Sequence, residues 1–194
     1  MNSTDSLFCA DVPDDQIAIV SSTEEVTYAE LIAATNALAV ALQTKDPIPG
    51  SNVAVCAVNS ASTVLAILAI RAAGKTWVAL NPENSSPEIH RVLEATLPAT
   101  IMVDEAGDAA VNADSDVKIL FSQFSGLVET YFGQKPERHP DSPVKTPGCS
   151  DSLPSAKDGA RQQMVVHSPI DQELGMRIMS CLAEGGQLVL TEGL

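Results

Sequence analysis

Aromatic side chains are scarce in this chain: 194 residues include one Trp, two Tyr and four Phe. A core with so few rings must rest on Ala, Val, Leu and Ile, each of which removes less apolar area from water than a ring does. Positive charge is scarce as well. Eleven Lys and Arg face 25 Asp and Glu, a net charge of −14, which repels phosphate backbones and anionic lipid and leaves no basic stripe for nucleic acid. No apolar run approaches the ~20 residues of a membrane helix; the longest strongly apolar stretch is Val64 to Ile70. Met1 to Asp15 carries Asp5, Asp11, Asp14 and Asp15 without a cationic or apolar region, so it does not read as a secretory signal. A soluble, cytoplasmic protein with neither nucleic-acid nor membrane partners is expected. Cys9, Cys56, Cys149 and Cys181 show no C-x-x-C spacing, so no metal site is expected either. Cys56 and Cys181 lie in apolar runs, where a free thiol behaves as a small hydrophobe.

What is present is an alternation of short apolar runs and helical periodicity. Ile17 to Val20, a polar turn over Ser21 to Glu25, and Val26 read as a hairpin. Thr27-Tyr28-Ala29-Glu30 is a T-x-x-E capping box, and Leu31, Ala34, Leu38, Ala41 and Leu42 keep the spacing of one buried stripe. The two prolines between Asp46 and Gly50 stop that helix. Asn52 to Val58 reads as a buried strand, Asn59 to Ala73 as a helix covered on several sides, and Trp77 to Leu80 as another strand.

Asn81-Pro82 predicts a turn. Ser86 is read as an N-cap with Pro87 at the first helical position and Glu88 near the positive helix end, and that helix leads into a strand at Thr100 to Val103. Val117 to Phe121 is a candidate strand and Phe124 to Phe132 a short helix. Gly133 to Gly159 holds most of the prolines and almost no large apolar side chain, which predicts a poorly ordered loop. A strand at Met164 to Val166, a cap and proline at Ser168-Pro169-Ile170-Asp171, a helix to Ala183, a Gly185-Gly186 stop and a strand at Gln187 to Leu190 follow.

The cadence predicts an α/β fold: a partial open, mostly parallel sheet with flanking helices. The expected organisation is a flexible start over 1–16, a core over 17–132, a poorly ordered Pro/Ser/Asp-rich loop over 133–160, and a returning strand-helix-strand of the same domain over 161–194. A sheet ending at Gln187 to Leu190 is expected to expose an edge.

Ala69 to Thr76 satisfies the loose A-x-x-x-x-G-K-T form of a phosphate loop. The order is reversed, however, with a helix before and a strand after, so the helix N-terminus that cradles phosphate is missing. A structural role for this segment is expected instead.

V-T-Y-A-E-L, I-R-A-A-G-K-T-W-V-A-L-N-P and S-P-E-I-H-R-V-L-E-A-T follow one another between Val26 and Val103 as they do in the N-terminal part of adenylate-forming ligases. The chain most resembles the adenylation domains of nonribosomal peptide synthetases. Its Arg71 to Pro82 is similar to L-K-A-G-x-A-Y-V-P-L-D-P, with Asn81 where Asp is usual. That resemblance implies the N-terminal subdomain of the ligase fold and, in intact relatives, activation of an amino or other carboxylic acid with Mg-ATP as an acyl adenylate for thioester formation.

The family's ATP loop, T-S-G-T-T-G-x-P-K-G, runs into V-x-V-T-H. Anchoring on Met164 to Ser168 places that loop over Leu153 to Gln162. Only Ser155, Lys157, Gly159 and Arg161 remain as nucleotide-binding candidates, and Asp158 sets a negative charge where a triphosphate would lie. His167 resembles the family's histidine beyond the loop and is expected as a satisfied packing residue. No catalytic residue, no metal and no cofactor are expected for the chain alone. The expected function is that of a fragment or degenerate relative, inactive alone, with a binding module or split-enzyme half that docks to a full-length synthetase or complementary fragment as the alternative.

Overall fold

The computed structural model describes residues 12–137, 162–167 and 169–191. In chain order the elements are β1 (Ile17–Val20), β2 (Glu25–Thr27), α1 (Tyr28–Lys45), β3 (Asn52–Cys56), α2 (Ala61–Ala72), β4 (Thr76–Leu80) and α3 (Ser86–Thr96). They continue with β5 (Thr100–Val103), α4 (Glu105–Ala110), β6 (Lys118–Leu120), a 3-10 turn at Phe121–Gln123, α5 (Phe124–Thr130), β7 (Gln163–Val166), α6 (Gln172–Ala183) and β8 (Gln187–Leu190). No described helix is long and apolar enough to cross a membrane.

The strands form two four-stranded sheets, in the orders β2-β1-β8-β7 and β4-β3-β5-β6. The α/β class with parallel strands and flanking helices is as expected. What periodicity did not show is the partition into two sheets. All pairings are parallel except the β1–β2 hairpin. In the second sheet the chain steps from β3 to β4 on one side and then crosses to β5 on the other. Right-handed crossovers in opposite directions put α2 and α3 on opposite faces, and the two cores follow. Val53, Val55 and Met102 share one core with α1, α2, α6 and the first sheet, while Ala54, Cys56, Ile101 and Val103 face Ile89 of α3.

The capping box of α1 forms as read: Thr27 N–H donates to Glu30 Oε2 at 2.9 Å, and Glu30 N–H donates to Thr27 Oγ1 at 3.3 Å. The single stripe is a correction. Five consecutive residues, Thr35 to Ala39, are buried, which at 100° per residue covers the full circumference, because α2, α5 and the first sheet enclose the helix. The cap of α3 is Ser85, not Ser86. Glu88 lies three residues beyond Ser85 and accepts from its N–H at 3.0 Å and its hydroxyl at 2.7 Å, which leaves Ser86 in the first turn. The cap of α6 is Asp171, whose Oδ1 accepts from Leu174 N–H at 2.8 Å; Ser168 lies outside the described residues.

The expected edge at Gln187 to Leu190 is also corrected. β8 lies inside its sheet between β1 and β7, so the outer strands are β7 and β2. Residues 12–16, expected within a flexible start, are tied in. Val12 packs against the main core, Gln16 accepts from Tyr28 N–H at 2.8 Å, and its side-chain amide donates to Gly185 O at 2.8 Å. The expected loop over 133–160 falls mostly outside the described residues.

Candidate functional site

Open α/β sheets usually bind ligands beyond the C-terminal ends of their strands, where the strand order reverses. Here that point lies beyond β3 and β5, and the chain fills it itself. Asp104 follows β5 and caps α4 by accepting from Gly107 N–H at 2.7 Å through Oδ1. Its Oδ2 accepts from Val58 N–H at 2.8 Å. Gly107 sits so close that a Cβ there would lie 1.7 Å from Cys56 O. The helix α4 seals the crevice, and this short element with an internal glycine left no periodic signal in the sequence.

The lysine of the phosphate-loop look-alike is committed elsewhere. Gly74 takes φ +71 after α2, which only glycine does without strain, and turns Lys75 inward to 1% exposure. Its Nζ lies 2.9 Å from Asp46 Oδ2, 2.6 Å from Ile48 O and 3.0 Å from Ser51 Oγ, with Asp46 O also in reach. An ammonium has three N–H donors, and these four acceptors exhaust them. Burial pushes the Asp46 carboxyl up, but hydrogen bonds from Ser51, Lys75 and Ile48 N–H and the Lys75 charge outweigh it, so its pKa falls below the ordinary 3.8. The network pins the α1–β3 loop to the start of β4. In the sequence Asp46 only opens the proline-bearing stretch that stops α1, and the one available signal is a lysine directly before a strand.

Ser155, Lys157, Gly159 and Arg161 lie outside the described residues. His167 is exposed rather than packed. Its Nδ1 lies 2.7 Å from Thr191 Oγ1, which is 3.1 Å from Val166 O. His167 borders a cleft of about 710 Å³ between β7 and α6. Its lining includes Ser180 and Cys181, and burial together with the Glu184 charge pushes the Cys181 thiol up to about 11. Almost no thiolate exists there at neutral pH, so Cys181 is not an activated nucleophile. Burial and Asp104 likewise push Cys56 up to about 11. Among the described residues no group of three or more His, Cys, Asp or Glu could hold a metal ion.

The comparisons give this scaffold its family. The chain is 32% identical over 108 residues to malpinin synthetase of Mortierella alpina, a match that covers 55% of this chain and 1% of that protein. In structure it resembles the nonribosomal peptide synthetase FmoA3, with TM-score 0.80 at 16% identity over 100% of this chain and 23% of that one. It resembles the N-terminal domain of FACL13 from Mycobacterium tuberculosis similarly, with TM-score 0.78 at 15% identity over 100% of this chain and 58% of that one. At these identities the structural likeness speaks for the fold. The model of the AMP-binding enzyme family matches residues 8–154, three quarters of the length, and the chain therefore belongs to the AMP-binding enzyme family.

Proposed function

We propose that this chain is a fragment or degenerate relative of a peptide-synthetase adenylation domain that does not form an acyl adenylate by itself. The observation that supports this is the stretch Leu153 to Gln162, with one glycine and with Asp158 where a triphosphate would lie. Glycines let backbone N–H groups approach phosphate, and a carboxylate there repels it. The burial and full pairing of Lys75 commits the lysine of the phosphate-loop look-alike elsewhere. In intact relatives Mg-ATP is the cofactor; the chain alone is expected to hold none, and a cytoplasmic setting suits its thiols and charge. The test is ATP–pyrophosphate exchange by the purified chain across amino acids and aryl acids. Background exchange is the expected result, and exchange that rises with any one substrate sinks the reading.

A second reading, a split-enzyme half that docks to a synthetase or complementary fragment, is favoured by the β7 edge. Val165 on β7 is 46% exposed, and Met176 on the neighbouring α6 is 38% exposed. Among the described residues no strand pairs with β7 on its outer side, and an open edge beside apolar side chains is a template for an added strand.

A further inference from the structure

A second opening lies on a different surface, where β2, the first turns of α1 and α2 and the end of α5 meet. It encloses about 400 Å³, and its apolar wall includes Val26, Leu31, Leu65, Val128 and Phe132. Phe132 is 72% exposed, a whole ring left mostly in water at the rim. Exposed aromatics in apolar grooves ringed by polar groups are the common anchors of protein interfaces.

Charge decides what the groove accepts. Glu24, Glu25 and Glu30 line it, and among the described residues no Lys, Arg or His does. The N-termini of α1 and α2 oppose them, each with about half a positive charge, which leaves the carboxylates in excess by roughly two charges. Glu30 is ionised at neutral pH, since hydrogen bonds from the Thr27 backbone and hydroxyl hold its carboxyl below the ordinary 4.5. A free apolar molecule would find nothing to pair with that rim. A helix with an apolar stripe and cationic flanks satisfies both the wall and the rim.

We infer that this groove is a docking site for an amphipathic, Lys- or Arg-bearing helix of a protein partner, which seats large apolar side chains against Phe132 and sets its cations on Glu24 and Glu25. The inference is independent of whether the chain catalyses anything.

The probe is a fluorescein-labelled amphipathic peptide with leucines along one face and lysines on the flanks, followed by anisotropy with the full chain at two salt concentrations. Saturable binding is expected, weakened about tenfold or more by Phe132→Ala, as for an interface anchor. Glu24→Lys with Glu25→Lys should weaken it comparably and flatten its salt dependence. Glu83→Lys with Glu94→Lys makes the same change in net charge away from the groove and should alter affinity by less than about twofold. Equal loss in both charge pairs would assign the attraction to the general field of an acidic protein and overturn the inference. So would equal binding of a peptide with glutamate in place of lysine, or no binding at all. All substituted side chains are exposed, and an unchanged thermal melt confirms the fold of each variant.

Discussion

At the scale of single residues, stability concentrates where a charge has left water. The Lys75 side chain is 2% exposed and that of Asp46 is 11% exposed, so removing the carboxylate leaves the more deeply buried partner stranded. Asp46→Ala is expected to cost about 3 kcal/mol, the lower end for breaking a buried pair, because carbonyls still accept from Lys75. Lys75→Met should cost only about 1–2 kcal/mol, since it conserves volume and Asp46 keeps Ser51 and Ile48 N–H. Urea unfolding of the two variants should show that order. The sign with pH follows from the lowered carboxyl. Its contribution is complete above the ordinary 3.8 and fades as pH falls through the folded value. The wild type should therefore lose stability below pH 3.8 more steeply than Asp46→Asn. Equal acid slopes would remove Asp46 from the account.

At the scale of elements, caps and glycines set where helices begin and how closely they approach. Gly175 brings α6 onto Trp77, where a Cβ would lie 2.2 Å from ring carbon Cζ3. A Gly-to-Ala change in a helix gains about 1 kcal/mol from propensity alone. Overpacking against a buried ring costs about 1–3 kcal/mol, and 2.2 Å places the site at the costly end. Gly175→Ala should thus be destabilising by about 1–2 kcal/mol net. The emission of the chain's one Trp, 4% exposed in the native protein, should shift as the ring is displaced. A stabilised variant with unchanged emission would refute the close contact. Cap residues are legible to within one to three positions: Thr27 agrees, whereas Ser85 is followed by the competing pair Ser86-Pro87 and Asp171 is preceded by the competing pair Ser168-Pro169. The helix α4 was not legible, since it depends on Asp104 bridging to Val58 and on the space above Cys56.

At the scale of the molecule, residues far apart in sequence close the first sheet. The Tyr28 hydroxyl opens α1 and lies 2.6 Å from Gly186 O and 3.1 Å from Leu182 O, so it ties the front of the chain to the α6–β8 turn. Thus β8 pairs with β1 on one side and β7 on the other, and among the described strands β7 is outermost on that side. If that edge docks to a synthetase or complementary fragment, Val165→Lys should abolish the complex on size exclusion while leaving the melting temperature within a few degrees, as surface substitutions do. A complex that survives Val165→Lys would exclude β7 from the interface.

Local chemistry in the sequence determined the elements other than α4, the α/β class and the resemblance between Val26 and Val103, because capping, turn glycines and apolar periodicity act within a few residues. The look-alike phosphate loop was also rejected from local order alone. Tertiary structure alone decided that the strands divide into two sheets, that Lys75 is spent on Asp46, that α4 fills the crevice beyond β3 and β5, and that an acid-rimmed groove forms beside Phe132. Each of these depends on which distant groups meet, and pairing across long separations leaves no period in the sequence to read.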